Sequence, residues 1–340
     1  IVYDAFSAPL FHIAQNAGHE GAVIVGQVEA AKQSGHLRLK RFSALSDDGK
    51  RLYIPVCGGR LVRVTGEKIE LAENGQNEDS FWVEHPYDAP LKYSDRNPKT
   101  GLEQFERLLV ETQACKSPVM RWLVAMHEGF FPFIRDAFPA RFLLIHIGPT
   151  QQGKTTGAQR FTLLHGLGLV KGDYSVAALG NMKDIGLLVL DNKEQANLTV
   201  SLIDFLLFLS TGAERGRSLV DGRPRTNRSR PVGVLTTIEG VWKAELRARC
   251  IEIPYSVAGS KIGRALIESE IKKYRHEIGS AMVLVLQRYL QIKHEKKETP
   301  NPRPDFEEHF TGLSDLLRAY GDISGKPEGW SESLIQAWNK

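Results

Sequence analysis

The spacing of apolar residues changes along the chain and predicts four structural parts. Short β-prone runs such as Arg51–Val56 and Arg60–Val64, separated by glycine turns, indicate a small β-rich region. From Gly101 the apolar residues recur at helical spacing, and Pro118 opens a second helical run. The predicted parts are a small β-rich N-terminal region at 1–98, a helical collar at 99–140, an α/β core at 141–258 and a C-terminal helical region at 259–340.

The third part alternates short buried strands with helices, which is typical of an α/β fold with a parallel sheet. One helix is expected to begin near Gly153 and another to cover Leu198–Leu209. The strands are predicted at Phe142–Ile147, Gly186–Leu190, Val232–Thr237 and Arg249–Ile253. A helical pattern then runs from Lys261 to Lys293, the prolines in Glu298–Asp305 indicate a linker, and one or two small helices are expected at the C-terminus.

A phosphate-binding pattern follows the first core strand. Residues 148–155 read Gly-Pro-Thr-Gln-Gln-Gly-Lys-Thr and match the Walker A pattern Gly-x-x-x-x-Gly-Lys-Ser/Thr in full. Glycines let backbone N–H groups surround phosphates, and the N-terminus of the next helix adds a favourable field. Lys154 is expected to reach the β- and γ-phosphates of ATP, and Thr155 to bind Mg²⁺. The predicted nucleotide-binding residues are Gly148, Pro149, Thr150, Gln151, Gln152, Gly153, Lys154, Thr155 and Thr156.

An acidic residue ends the second core strand. Asp191, at the end of a strand expected beside the phosphate-loop strand, is the predicted second ligand of Mg²⁺. The alternative is that Asp191 or Asn192 caps a following helix. Asn192 stands where many ATPases carry a glutamate that activates water. We therefore expect either that Glu194 reaches the site or that Asn192 helps to polarise the water and hydrolysis is slow.

The two motifs are close in sequence, since Asp191 follows Lys154 by only 37 residues. A gap this compact resembles the superfamily 3 helicases of viruses and plasmids, which belong to the wider AAA+ class. The β region, the helical lead-in SPVMRWLVAMHEGFF and the later segments TGAERGRSLVDGRPR and ELRARCIEI complete the resemblance. The chain is similar to the ATPase modules of primase–helicase proteins from phages, plasmids and integrative elements.

Residues 213–230 are rich in arginine and read AERGRSLVDGRPRTNRSR. Asp221-Gly222 is a hairpin turn signal. Arginine binds phosphate groups in a fork, so a basic hairpin that faces a pore would follow a nucleic-acid backbone without reading its sequence. The alternatives are a solvated loop or arginines directed at the nucleotide. The predicted nucleic-acid-binding residues are Arg215, Arg217, Arg223, Arg225 and Arg228.

Two further positions follow from the resemblance. A polar residue that ends the third core strand is expected near the γ-phosphate, and Thr237, or Thr236 before it, occupies that place where the superfamily 3 pattern has asparagine. The resemblance also implies an arginine that enters the neighbouring subunit's active site, where it would stabilise transition-state charge. Arg249 matches this position best and Arg247 second. The alternative is a surface ion pair with a nearby glutamate.

Composition limits the location and the general class of the protein. A net charge of only +4 shows that the whole chain is not a basic nucleic-acid-binding tail. The three cysteines lie far apart without metal-ligand spacing, which fits a reducing cytoplasm. Because no secretory signal and no apolar run of about 20 residues is visible, we expect a cytoplasmic protein without a membrane partner. The start Ile-Val-Tyr without Met suggests a piece of a longer protein.

Together these features predict an ATP-hydrolysing DNA helicase or translocase of the mobile-element replication type. ATP and Mg²⁺ are the expected cofactors, single-stranded DNA the expected partner, and a ring, expected to be hexameric, the expected assembly. The alternative function is an NTP-gated switch, or an assembly or defence ATPase, that binds DNA without unwinding it. A small-molecule kinase is a third possibility, but the gap between Lys154 and Asp191 leaves no room for a lid or an acceptor pocket unless residues 214–230 form the lid.

Overall fold

The computed structural model describes residues 38–75, 80–82, 88–94, 98–115, 117–138, 140–166, 179, 185–211, 215–218, 224–227, 231–241, 243–256, 263–295 and 307–338. Along the chain, short strands come first, then helices, then alternating strands and helices, and finally helices again. The predicted linker at 298–305 lies outside the described residues. The boundaries drawn between the four parts stay predictions.

Short strands form the N-terminal β region, as the glycine-separated runs predict. The strands are β1 (Arg38–Lys40), β2 (Ala44–Leu45), β3 (Leu52–Val56), β4 (Arg60–Val64), β5 (Ile69–Glu73) and β6 (Ser80–Trp82). β2, β3, β4 and β5 pair antiparallel in chain order, and β1 pairs parallel with β6. Gly58 and Gly59 make the turn between β3 and β4 at φ +82° and +68°, a conformation that glycine adopts without strain.

Helices form the collar and the C-terminal region. The collar contains α1 (Pro98–Phe105), which continues as a π-helical turn (Glu106–Val110), then α2 (Pro118–Val124), a π-helical segment (Ala125–Phe130), α3 (Phe131–Ile134) and a 3₁₀ turn (Arg135–Ala137). A Cβ atom at Gly101 in α1 would lie 2.4 Å from the carbonyl oxygen of Glu277, so glycine permits the close crossing of α1 with the long C-terminal helix. None of the described helices combines the length and apolar content needed to cross a membrane.

The α/β core is a parallel sheet, which confirms the predicted fold class. Its elements are β7 (Leu143–Ile147), α4 (Lys154–His165), β8 (Leu187–Leu190), a 3₁₀ turn (Gln195–Asn197), α5 (Val200–Thr211), β9 (Arg215–Ser218), β10 (Pro224–Asn227), β11 (Val232–Thr237), α6 (Ala244–Arg247) and β12 (Cys250–Pro254). The chain then continues through α7 (Arg264–His294), α8 (Glu307–Ser324) and α9 (Trp330–Trp338).

The order of the strands in this sheet, β12-β7-β11-β8, corrects one expectation. β8, which ends before Asp191, does not lie beside β7, because β11 is inserted between them. Val234 in β11 is paired with Leu144 of β7 on one side and with Val189 of β8 on the other. Apolar runs predict where strands occur but not which strands are neighbours, and here the third core strand along the chain separates the first two.

Both faces of the parallel sheet are buried, which explains why its strands read as continuous apolar runs. Leu144 points to a core shared with the collar, α7 and α8. Leu143 and Ile145 point to the opposite face, in a second core that includes Leu206 and Leu209 of α5. The carboxyl ends of all four strands therefore meet at one edge of a sheet that is held from both sides.

A stack of rings in the larger core joins the collar, β7 and α8. The ring of Phe142 lies 5.1 Å from that of His127 and 3.9 Å from that of His309, nearly parallel to both. His127 and His309 are fully buried. Burial lowers the pKa of His127 to about 3 and lowers that of His309 well below its usual value. Both histidines are therefore neutral in the folded protein at pH 7.

Replacing His127 with phenylalanine tests whether the His127 side chain stays neutral in the folded protein when the pH is reduced. In the folded wild type the pKa is depressed, so the unfolded chain takes up a proton below about pH 6.5 while the folded chain does not, and stability falls as the pH is lowered. His127→Phe keeps a stacked ring but removes the imidazole that takes up this proton in the unfolded chain. Between pH 7 and pH 5 the variant should lose about 2 kcal/mol less unfolding free energy than the wild type, as measured by urea denaturation.

The exposed residue His294 offers the matched control for this measurement, since His294→Gln removes a histidine without removing a buried ring. Its unfolding free energy should change with pH as that of the wild type does. Equal pH dependence in His127→Phe and the wild type would contradict the buried, neutral state of His127.

Candidate nucleotide-binding site

The loop between β7 and α4 has the backbone conformation that its glycines make possible. Gly148 has φ +151° and Gly153 φ +83°. A Cβ atom at Gly148 would lie 2.5 Å from the carbonyl oxygen of Tyr255, and a Cβ atom at Gly153 would lie 3.3 Å from the Cβ of Ala114. Gln151 also has a positive φ, of 62°, although it is not a glycine. The loop is therefore a tight turn that leads directly into the N-terminus of α4, a favourable place for an anion.

The side chain of Lys154 lies inside this loop. Its Nζ donates hydrogen bonds to the carbonyl oxygens of Gly148, at 2.5 Å, and Pro149, at 2.7 Å. Burial lowers the pKa of Lys154, and the negative charges of Glu194 and Asp191 act in the opposite direction. The ammonium group therefore lies at the mouth of the loop, near two carboxylates from the segment after β8.

Asp191 is the point where three elements meet. One of its oxygens, Oδ1, accepts hydrogen bonds from the hydroxyls of Thr155 on α4, at 2.6 Å, and Thr236 on β11, at 2.5 Å. The Thr236 hydroxyl in turn accepts a hydrogen bond from the backbone N–H of Asn192 at 2.9 Å. The hydroxyl of Thr199, not Asp191, accepts the bond from an N–H in the first turn of α5. The contacts of Asp191 thus match a ligand-holding role better than a helix cap.

The two threonines that end β11 have different partners. Thr236 contacts Asp191, whereas the Thr237 hydroxyl donates to a carboxylate oxygen of Glu194 at 2.9 Å. The same carboxylate accepts the backbone N–H of Ile238 at 2.9 and 3.0 Å. The exposed residue Asn192 lies between the two acids with φ +55°, a turn conformation tolerated by asparagine. Thr236 is therefore the threonine that contacts Asp191, the predicted Mg²⁺ ligand, and Thr237 contacts Glu194.

The oxygen atoms at this position suit Mg²⁺. This ion prefers oxygen ligands and usually takes one or two from the protein, with phosphates and water completing its shell. Thr155 Oγ1 and Asp191 Oδ1 are 2.6 Å apart, next to the glycine loop. No group of three or more His, Cys, Asp or Glu residues that could hold a metal occurs in the described part of the chain. The pair of oxygens therefore fits an ion that is held together with a phosphate ligand.

Arg247 and Arg249 lie at the opposite edge of the sheet. Arg249 directly precedes β12, and the backbone N–H of Leu143, the first residue of β7, donates to its carbonyl oxygen at 2.9 Å. The five residues of β12 separate it from the carboxyl edge by roughly 16 Å. Arg247 is exposed and Arg249 half-buried, and within the described residues neither forms an ion pair with Glu245 or Glu252. The structure thus keeps both arginines away from the phosphate loop of their own chain.

The arginine-rich segment contains a two-stranded ladder. β9 and β10 pair antiparallel, with Arg217 opposite Arg225 and Arg215 opposite Asn227. The predicted turn at Asp221-Gly222, with Arg223 and Arg228, lies outside the described residues. The two described strands place three of the predicted nucleic-acid-binding arginines on one short hairpin.

Sequence analysis missed the buried polar residues behind the loop. His146, in the middle of β7, is fully buried and forms an ion-pair contact of 2.7 Å with the fully buried Glu128 of the π-helical segment. The hydroxyl of Tyr255 donates to Gln113 at 3.0 Å beside Gly157 of α4. A histidine inside an otherwise apolar strand was the available signal for His146, because a buried polar side chain requires a partner.

Comparison with known proteins supports the fold assignment. No family model and no curated protein matches the chain. A solved structure described as an active helicase, SCCmec type IV Cch, superposes with a TM-score of 0.51 at 13% sequence identity and covers 92% of this chain and 62% of that chain. The chain thus spans less than two thirds of that helicase. At this identity the likeness shows the fold alone, a P-loop α/β fold shared with a helicase.

Two other similar structures have lower scores. A JCV helicase bound to an inhibitor has a TM-score of 0.30 at 16% identity and covers 71% of this chain and 74% of that chain. A full-length MCM homolog from Methanopyrus kandleri has a TM-score of 0.38 at 11% identity and covers 84% of this chain and 73% of that chain. Because both scores are below 0.5, the fold assignment depends on the first comparison.

Proposed function

We propose that this chain is the ATPase part of a ring-forming, Mg-ATP-dependent DNA helicase or translocase of the mobile-element replication type. The observation that carries the proposal is the convergence of Lys154, Thr155, Asp191 and Thr236 at the carboxyl edge of the sheet. Lys154 and Thr155 begin α4 directly after the glycine loop, Asp191 follows β8, and Thr236 lies in β11. The fold that brings them together is shared with a solved helicase.

In the proposed reaction, water attacks the γ-phosphorus of ATP, the bond to the β-phosphate oxygen breaks, and ADP and phosphate leave. The N–H groups of the loop and the N-terminus of α4 would bind the phosphates. Lys154 Nζ would leave the carbonyl oxygens of Gly148 and Pro149 for a phosphate oxygen. Thr155 and Asp191 would hold Mg²⁺, which neutralises charge on the phosphates when bound. Thr236 would keep the Asp191 carboxylate oriented.

The attacking water needs a polar residue beyond the metal ligands. Asn192 directly follows Asp191, Glu194 lies three residues after it, and both remain the predicted water-positioning residues. The Glu194 carboxylate already accepts hydrogen bonds from Thr237 and Ile238. These bonds orient the carboxylate and leave acceptor capacity for a water molecule.

A second subunit would complete the site. Arg249 is at the amino edge of the sheet, and roughly 16 Å of strand separate it from its own phosphate loop. In the proposed assembly this arginine would act on the site of another copy of the chain, where it would stabilise charge on the transferred phosphoryl group. Arg247, exposed on α6, is the second candidate.

The hairpin of β9 and β10 is the proposed contact with single-stranded DNA. Its register places Arg217 opposite Arg225, and Arg215 lies on the same hairpin. Like charges directly opposite each other destabilise a ladder unless an anion lies between them. A phosphate backbone would supply that negative charge without reading base sequence.

An NTP-gated switch that binds DNA without unwinding it is the second candidate function. The exposed Asn192 beside Asp191 favours it, because an asparagine in place of a water-activating glutamate suits slow turnover. In this function ATP would control assembly, and hydrolysis would only reset it.

The test of the proposed function is DNA-stimulated ATP hydrolysis by the purified chain, together with separation of a forked duplex. Single-stranded DNA should raise the hydrolysis rate, and ATP should drive strand separation. Lys154→Ala should lower the rate by about 100-fold or more, because it removes charge stabilisation of the phosphates. Equal rates with and without DNA, and no assembly at any concentration, would refute the helicase. Tight ATP binding with turnover slower than minutes and no strand separation would favour the switch.

Thr236→Val should lower the rate of ATP hydrolysis roughly 10- to 100-fold, because it removes a hydrogen bond to a charged carboxylate. The Mg²⁺ concentration that gives half the maximal rate should rise as well. Thr237→Val is the matched control, since its hydroxyl contacts Glu194 instead. If both variants shift the Mg²⁺ dependence equally, Thr236 has no special role at the metal ligand.

Arg249→Ala should retain ATP binding and lose hydrolysis. Mixing it with Lys154→Ala should restore activity, because a mixed assembly contains sites with an intact loop from one chain and an intact arginine from the next. Arg247→Ala, at the end of α6 and two residues before Arg249, distinguishes the two candidate arginines. The absence of recovered activity in every mixture would count against a shared site.

A further inference from the structure

Glu128 is an unusual residue to find in the core. It lies in the π-helical segment Ala125–Phe130 of the collar and is fully buried. Its Oε1 is 2.7 Å from Nε2 of His146, which is fully buried as well. Its Oε2 is buried and has no hydrogen-bond partner among the described residues. π-Helical turns are rare and frequently occur at functional sites.

Contacts from Glu128 reach both ends of the phosphate-loop helix α4. The first residue of α4 is Lys154, whose carbonyl oxygen lies 3.3 Å from Nδ1 of His146, the residue paired with Glu128. The last residue of α4 is His165, whose Nε2 lies 2.7 Å from the backbone carbonyl oxygen of Glu128. One collar residue thus contacts the end of α4 directly and its beginning through His146.

The acceptors around His146 define where its protons lie. The carbonyl oxygen of Lys154 can only accept a hydrogen bond, so Nδ1 of His146 carries a hydrogen. The 2.7 Å contact between Nε2 and the Glu128 carboxyl group then requires one more proton. This hydrogen-bond pattern links the Glu128 carboxyl group, the His146 ring and the Lys154 carbonyl oxygen in one chain of contacts.

Such a pair is a poor choice for stability alone. Removing two polar groups from water is costly, and apolar residues of similar volume often stabilise a fold as well or better. The ring of His146 also packs against that of Tyr255, with centroids 4.6 Å apart, so an apolar ring would fit the site. The contacts with α4 offer a reason for the pair that packing does not.

We propose that Glu128 is a positioning residue that, through His146 and His165, holds α4 and the phosphate loop in place relative to the collar. The loop backbone then stays fixed while the side chain of Lys154 is free to move from the loop carbonyls to a phosphate. A displacement of the collar would be passed to the nucleotide site through the same contacts. The effect of Glu128 on ATP binding rests on the proposed function, but its role in positioning α4 does not.

Three variants test the proposal. Glu128→Met keeps an unbranched side chain but removes the side-chain hydrogen bond to His146, while the backbone carbonyl contact with His165 remains. Glu128→Gln can still donate to Nε2 of His146. The double variant Glu128→Met with His146→Phe replaces the whole pair by apolar residues, so it is expected to fold with unchanged or higher stability. Ser43→Ala is the control, because it removes buried hydrogen bonds to Arg135 and Phe133 without contacting α4.

The first measurement is hydrogen exchange of the amides of residues 157–161 in the protein without nucleotide, since these are the first amides of α4 that have acceptors within the helix, beginning with Gly157 N–H to the carbonyl oxygen of Gly153. Exchange there should be about tenfold faster in the double variant and in Glu128→Met, and within about threefold of the wild type in Glu128→Gln and Ser43→Ala. ATP affinity, measured by calorimetry, should weaken about tenfold in the same two variants.

Unchanged exchange at residues 157–161 in the double variant would overturn the proposal, as would an equal increase in Ser43→Ala. If the wild type fails to bind ATP while the exchange pattern is as expected, the proposed function is wrong and the positioning role of Glu128 stands. If Glu128→Met does not fold, the double variant still decides the outcome. A double variant that is as stable as the wild type, but exchanges faster at the loop and binds ATP more weakly, is the expected result.

Discussion

The hydrogen bonds that Asp191 accepts from Thr155 and Thr236 are the interaction on which the candidate site depends. Hydrogen bonds to an ionised carboxylate are short and strong, so they hold the start of α4 and the ends of β8 and β11 in one arrangement. The arrangement exists because β11 lies between β7 and β8 in the sheet. A sheet in which β8 paired directly with β7 would leave no strand end to place a hydroxyl between the loop and the acid.

The parallel sheet also separates the candidate nucleotide site from the candidate trans-acting arginine. The glycine loop, Asp191 and Glu194 lie at its carboxyl edge, whereas Arg249 lies at its amino edge, about one strand length away. The sheet between the two edges is packed on both faces. The separation of the two edges is the reason for proposing that Arg249 acts on the nucleotide of another copy of the chain.

Behind the loop, the collar and the core are joined by polar contacts as well as by apolar packing. Glu128 and His146 form a buried polar pair there, close to the buried hydrogen bond between Tyr255 and Gln113. The stacked rings of His127, Phe142 and His309 connect the collar to β7 and α8 a few residues away. Glu128 of the collar thus contacts the last residue of the helix that follows the phosphate loop and, through His146, the first.

The sequence by itself determined the loop, the elements and the fold class, because these depend on local patterns. Residues 148–155 match a motif that works through backbone geometry, and apolar runs mark buried strands wherever they pair. Only the tertiary structure decided that β11 separates β7 from β8 and that Thr236, not Thr237, contacts Asp191. It also revealed Glu128, which lies 18 residues before His146 in the chain but in contact with it. Strand order and buried pairs join residues far apart in sequence, and no local period encodes which distant residue will be the neighbour.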